Sequence, residues 1–178
     1  MTLKIYTAGP EVFLANARDI MAAKTALCRA YGFSAICPGD LDIPKAETMK
    51  AFGLAISQVD EEMMDAADAV IANLTPFRGL AADVGTCFEL GYMCAQGKLV
   101  AAYTNVVEDH YARTVAYYGG QISQDADGYK RGPDGLSLED FDMIDNLMLQ
   151  GGVERRGGPI AIHKAAPDAL YTDLTGFE

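Results

Sequence analysis

Glu89 is the one charged residue inside "DVGTCFELGYMCAQGK", Asp83 to Lys98, a segment otherwise small or apolar. The nearest cations in sequence, Arg78 and Lys98, do not stand at the i±3 or i±4 spacing of a helical ion pair. A glutamate is ionised at neutral pH and can attack an electrophilic carbon or take a proton from water. It can equally be a solvated residue on an amphipathic helix, and periodicity alone favours that plainer role. At about 100° per residue, Glu89 shares a helical edge with Gly85 one turn earlier and Met93 one turn later. With no side chain at Gly85, a ring has room to approach the carboxylate.

Other polar residues have competing readings. Asp83 starts the same helix and suits an N-cap. Asp60 opens the acidic stretch "DEEMMDAAD", where solvation is the ordinary fate, and Asn146 is polar within the apolar run "MIDNLML". Several familiar sites are missing: there is no G-x-G-x-x-G after the first strand, no G-x-x-x-x-G-K-[ST] and no G-x-S-x-G. The only histidines, His110 and His163, lie in the irregular later half. That leaves little material for a metal site or a Ser-His pair, and no metal or redox cofactor is expected.

The elements that must position these residues alternate. "LKIYTA" (3–8) reads as a strand stopped by Gly9-Pro10. A helix is expected from Val12 to Tyr31, with Gly32 at its C-terminal cap, then a brief strand "FSAICP". A second helix is expected over Ala46 to Ala67 with Met49, Phe52, Ile56, Val59 and Met63 as its apolar stripe. "DAVIANL" (68–74) has the near-continuous apolar character of a central parallel strand, and "LVAAYT" (99–104) is a fourth strand after the Glu89 helix. Residues 119–136 read as a long Gly-rich loop. "SLEDFDMIDNLMLQGG" recovers helical periodicity up to its paired glycines, and "PIAIHK" supplies a fifth, edge strand. The pattern predicts a single α/β domain over residues 1–178: a doubly wound, flavodoxin-like (Rossmann-like) parallel sheet of about five strands flanked by helices.

In such a sheet ligands bind outside the carboxyl ends of the strands, where strand order reverses. That rule selects Tyr6-Thr7-Ala8-Gly9, Thr75 to Asp83, and the start of the helix carrying Glu89. Tyr6 is placed to orient the carboxylate, and Gly9 and Gly85 are candidates for close approach of a substrate.

Composition narrows the partners. With 14 Lys+Arg against 25 Asp+Glu, the net charge of −11 opposes any polyanion, so no nucleic acid is expected. Cys28, Cys37, Cys87 and Cys94 show no C-x-x-C spacing and no secretory leader precedes them, which suits reduced thiols in a cytoplasmic protein. No apolar run approaches the roughly 18 to 20 residues that span a bilayer, so no membrane association is expected.

Three motifs, "KIYTAGPEVF", "DVGTCFELGYMCAQGK" and "IDNLML", occur in an order that resembles the nucleoside 2-deoxyribosyltransferase family. The resemblance covers most of residues 3–150, and D-V-G-x-x-x-E-L-G-Y is its specific part. It implies that Glu89 is a nucleophile, that Tyr6 positions it, and that Asp83 helps hold the sugar or base. Asp60 resembles an aspartate that contacts and protonates the leaving base. Asn146 and Met148 match residues contributed by a neighbouring subunit, which implies a homo-oligomer, dimer or hexamer, although "IDNLML" also suits a plain core helix. The implied substrates are deoxyribonucleosides and free nucleobases, exchanged by double displacement at C1′ with net retention.

Two rivals stand beside this reading. A deoxynucleoside 5′-monophosphate N-glycosidase would use the same glutamate and deliver the sugar to water, but it must hold a phosphate, and Glu11 in "AGPEVF" would repel one. A nucleoside-binding protein without turnover would share the fold. Base preference, purine only or both classes, stays open. Tyr103, Tyr111, Tyr117 and Tyr118 could stack on a base, and the 119–136 loop could close over the site, but loop packing serves equally well.

Overall fold

The computed structural model describes residues 2–178. Its main sheet is entirely parallel, with β1 (Lys4–Ala8), β2 (Ser34–Ile36), β3 (Ala69–Asn73), β4 (Leu99–Thr104) and β7 (Ile160–Ile162) in the order β2-β1-β3-β4-β7. This is the doubly wound, flavodoxin-like arrangement, and strand order reverses between β1 and β3. "PIAIHK" does form the edge strand expected of it, beside β4.

Alternation along the strands builds two cores. Tyr6, Ala8, Val70, Ala72 and Val100 face helices α2 (Met49–Ala66), α3 (Val84–Ala95) and α5 (Leu147–Glu154), meeting Val59, Met63, Leu90, Met93 and Val153. Ile5, Ile71 and Tyr103 face the other way, onto Cys28 of α1 (Ala17–Ala30) and Phe177 near the C-terminus. The tail is fixed there by Asn105, whose Nδ2 donates to the carbonyls of Leu170 and Asp173 at 2.9 Å each. No helix among the described residues is long and apolar enough to cross a membrane.

Four expectations need correction. The helix expected from Val12 is broken: Pro10–Phe13 form a 3₁₀ turn, Leu14 is extended at φ −78° and ψ 149°, and α1 starts only at Ala17. On one continuous helix Glu11 and Lys24 would be about 20 Å apart; the break lets them meet at 2.5 Å in the interior. The α2 stripe is buried only in its C-terminal half, since Met49 is 82% exposed while Val59 and Met63 are 8% and 3% exposed.

The helical periodicity read over residues 137–152 materialises only from Leu147. Before it two carboxylates accept hydrogen bonds that a regular helix would not provide. Asp145 accepts from the Ala82 N–H at 2.9 Å, and Glu139 from Asn146 Nδ2 at 2.6 Å. Gly151 and Gly152 do not end that helix but lie within it, where Cys94 Sγ approaches the Gly152 carbonyl at 3.6 Å. Finally, the Gly-rich loop is not wholly irregular. It holds an antiparallel hairpin, β5 (Ser123–Gln124) with β6 (Lys130–Arg131), braced by Arg131 on Asp125 at 2.7 Å. Helix α4 (His110–Tyr117) precedes it.

Candidate active site

A cleft of about 1090 Å³ opens beyond the carboxyl ends of β1 and β2 and beside the start of α3, slightly above the common range of roughly 300–1,000 Å³ for small-molecule sites. Its floor includes Gly9, Asp83, Gly85, Thr86 and Glu89, with Asp60 and Ile56 from α2. Val12 and Phe13 of the 3₁₀ turn and the Ala17–Arg18–Met21 face of α1 supply another wall.

Glu89 is half-buried in this cleft, one turn into α3 from Gly85. The Tyr6 hydroxyl, on the buried middle of β1, donates to its Oε1 at 2.6 Å. Burial pushes the Glu89 carboxyl up to about 7; the Tyr6 hydrogen bond pulls the other way, and the charges of Asp60, Asp83 and Glu11 push it further up. Burial and the adjacent Glu89 charge raise Tyr6 far above the usual phenol range, so it stays a donor. With Oε1 occupied, Oε2 is the oxygen free to meet a ligand.

Asp60 is also half-buried, and burial raises its carboxyl above the usual range, which suits a group that carries a proton. Asp83 is the N-cap of α3: its Oδ2 accepts from the Thr86 N–H at 3.0 Å and from the Thr86 hydroxyl at 3.3 Å. Because Oδ1 enters neither bond, capping and ligand contact do not compete. Gly85 is open to the cleft, but a Cβ there would come within 3.0 Å of Asp83 Oδ2. At Gly9 a Cβ would overlap the Glu11 carboxylate and lie 3.0 Å from Asn73 Cβ, so glycine is required by close packing from beneath.

Asn146 and Met148 do not reach the cleft of their own chain. Asn146 caps α5, its Oδ1 accepting from the Met148 N–H at 3.0 Å, and Met148 is 72% exposed, so neither side chain belongs to the core that α5 reaches through Val153. None of the candidate tyrosines lines the cleft either. Tyr103 is buried against Glu11, Lys130 lies over the Tyr111 ring, and Tyr117 packs edge-on against Tyr118. The hairpin loop contributes no lining residue.

Glu11 is the largest surprise at the site. It is fully buried and ion-paired with Lys24, so its charge is matched inside the protein and does not face a ligand. Lys24 carried a readable signal: it occupies the core-facing step between Ile20 at i−4 and Cys28 at i+4, where a cation needs a buried partner. Phe13 falls within the helix expected from Val12 but lies in the 3₁₀ turn. Its ring stacks on Phe77 at 5.2 Å, with the Arg78 guanidinium 5.2 Å from one ring centre and 4.8 Å from the other. Arg78 takes a left-handed conformation, φ 52°, in the loop after β3.

Known proteins resemble this chain in sequence and in fold. A family model described as nucleoside 2-deoxyribosyltransferase matches residues 5–148. An uncharacterized protein of Schizosaccharomyces pombe is 32% identical, over 96% of this chain and 86% of its own. A solved 2-desoxiribosyltransferase from Leishmania mexicana superposes with a TM-score of 0.65 at 29% identity, covering 97% of this chain and 96% of that one. A conserved protein from Enterococcus faecalis V583 shares the fold, with a TM-score of 0.58 at 19% identity over 96% of each chain.

Proposed function

The chain belongs to the nucleoside 2-deoxyribosyltransferase family, and from that premise we propose that residues 1–178 act as one catalytic domain moving 2-deoxyribose between nucleobases. The observation that carries this reading is the 2.6 Å bond from Tyr6 to Glu89 at the floor of the cleft. Tyr6 fixes one carboxylate oxygen and directs the other at C1′ of a bound deoxyribonucleoside. Glu89 attacks as the base departs, and Asp60, whose carboxyl burial raises, hands the leaving base a proton. A second base then attacks C1′ of the glycosyl-glutamate from the same face that the first one left, displacing the Glu89 carboxylate and returning a proton to Asp60, which gives retention. Asp83 and the side-chain-free positions Gly9 and Gly85 hold the sugar close. No step requires a metal or redox cofactor.

Incubation with deoxyinosine and adenine should yield deoxyadenosine, and Glu89→Ala should abolish it. Failure to exchange any purine or pyrimidine pair would sink the transferase reading. Release of deoxyribose 5-phosphate from a deoxynucleotide would establish the hydrolase instead. Binding without turnover would leave a nucleoside sensor.

Glu11, matched by Lys24, does not weigh against a phosphate. The cleft lining still carries Asp40, Asp60, Asp83 and Glu89 against Arg18 and Arg29, a balance that supports a neutral nucleoside. Asn146 and exposed Met148 are proposed to complete the cleft of a second subunit, in a homo-oligomer.

A further inference from the structure

Beneath the cleft lies a buried ionic cluster to which the chemistry above assigns no task. Glu11 and Lys24 are both fully buried, and neither lines the cleft. Glu11 Oε1 is ion-paired with Lys24 Nζ at 2.5 Å and accepts hydrogen bonds from the Tyr103 hydroxyl at 2.8 Å and Asn73 Nδ2 at 3.0 Å. The ammonium also sits 5.6 Å from the Tyr103 ring centre and 5.2 Å from that of Phe177. Glu11 Oε2 has no hydrogen-bond partner and fills the space where a side chain on Gly9 would be.

Burying two charges is expensive, and a well-packed apolar pair would commonly be as stable. What this pair supplies is a conformation. Lys24 draws Glu11 inward, and Glu11 is the second residue of the Pro10–Phe13 turn. Its chain neighbours Gly9, Val12 and Phe13 face the cleft. Asn73 at the end of β3 and Tyr103 on β4 anchor the same oxygen, so the turn is referenced to the sheet at the strand ends.

We propose that Glu11, held by Lys24, is a positioning residue that pins the Gly9–Phe13 turn from beneath and so fixes the cleft wall against which the substrate lies. The assay below rests on the transferase reading; the pinning does not. Because the turn contacts the substrate before and during reaction alike, loosening it removes uniform binding: KM rises and kcat holds.

Two double variants separate the pin from the charge. E11Q/K24M and E11A/K24M both lack the ion pair and strand no buried charge. Gln retains an oxygen that Tyr103 and Asn73 can bond, and Ala does not. KM for deoxyinosine in E11A/K24M should exceed that of E11Q/K24M by about tenfold, with kcat within about threefold. Amide hydrogen exchange at residues 11–14 should be at least about tenfold faster in E11A/K24M, with exchange in α3 unchanged. Equal KM and equal exchange in the two variants would overturn the proposal, and would leave the pair a purely structural feature. If E11A/K24M does not fold, Y103F removes one of the anchors, and it should raise both KM and turn exchange; no change in either overturns the pin. A wild-type chain that moves no deoxyribose defeats the transferase reading, while the exchange comparison still decides the pinning.

Discussion

A nucleophile that must be anionic to attack sits where burial opposes its ionisation. With the Glu89 carboxyl pushed up to about 7, kcat/KM should climb with pH through that value, and a profile flat from pH 5 to 8 would contradict the role given to Glu89. Stability should run the opposite way. Below the ordinary pKa of 4.5 both folded and unfolded chains hold the proton and the contribution is fully present; it is lost as pH rises through 7. The gap is worth at most roughly 3 kcal/mol. Glu89→Gln keeps the shape and the Tyr6 bond, so it should raise the denaturation midpoint at pH 8 but leave it unchanged at pH 4. Tyr6→Phe removes one hydrogen bond to a charged group, a loss of about 10- to 100-fold in kcat, and should move the acid limb upward because that bond lowers the Glu89 pKa.

At the level of elements, α3 shows how much the residues announced. Asp83 was legible as its N-cap because an acceptor at that step satisfies free N–H groups locally. The same aspartate should therefore separate two effects. Asp83→Ala should destabilise by about 1 kcal/mol in urea titration, whereas Asp83→Asn, itself a good cap, should cost only a few tenths. Both should raise the KM for a deoxynucleoside, since neither keeps a second carboxylate oxygen for the ligand. Equal KM in Asp83→Asn and wild type would reduce Asp83 to a cap. The central strands were legible for a similar reason: "DAVIANL" is apolar on both faces because helices cover both. The break before α1 was hidden, because it depends on a long-range partnership between Glu11 and Lys24 that periodicity cannot see. The irregular 137–146 segment was hidden likewise, its carboxylates bonding the distant Ala82 N–H and the cap of α5. For α2 the spacing was right but the chain does not cover the whole stripe: Met49 and Phe52 stay 82% and 37% exposed.

Those unpartnered apolar residues matter for the molecule as a whole. Val84 and Phe88 on α3 are 84% and 57% exposed, and Met148 on the neighbouring α5 is 72% exposed. Scattered apolar residues on a surface need no explanation, but here they adjoin the helix that carries Glu89 and the segment that fails to reach its own cleft. A homo-oligomer in which each chain lends Asn146 and Met148 across a two-fold interface accounts for both facts, because an isologous contact places the same two elements of each copy together. Mixing two dead enzymes tests this directly. Glu89→Ala and Asn146→Ala chains should each be inactive, yet after co-refolding at equal ratio half the dimers are hybrids, and each hybrid holds one cleft with both lesions and one with neither. Activity should return to about a quarter of wild type for random dimers. If the mixture stays as inactive as its parts while an affinity tag on one variant co-purifies the other, showing that hybrids form, each cleft is complete within one chain, and Asn146 is only the cap of α5.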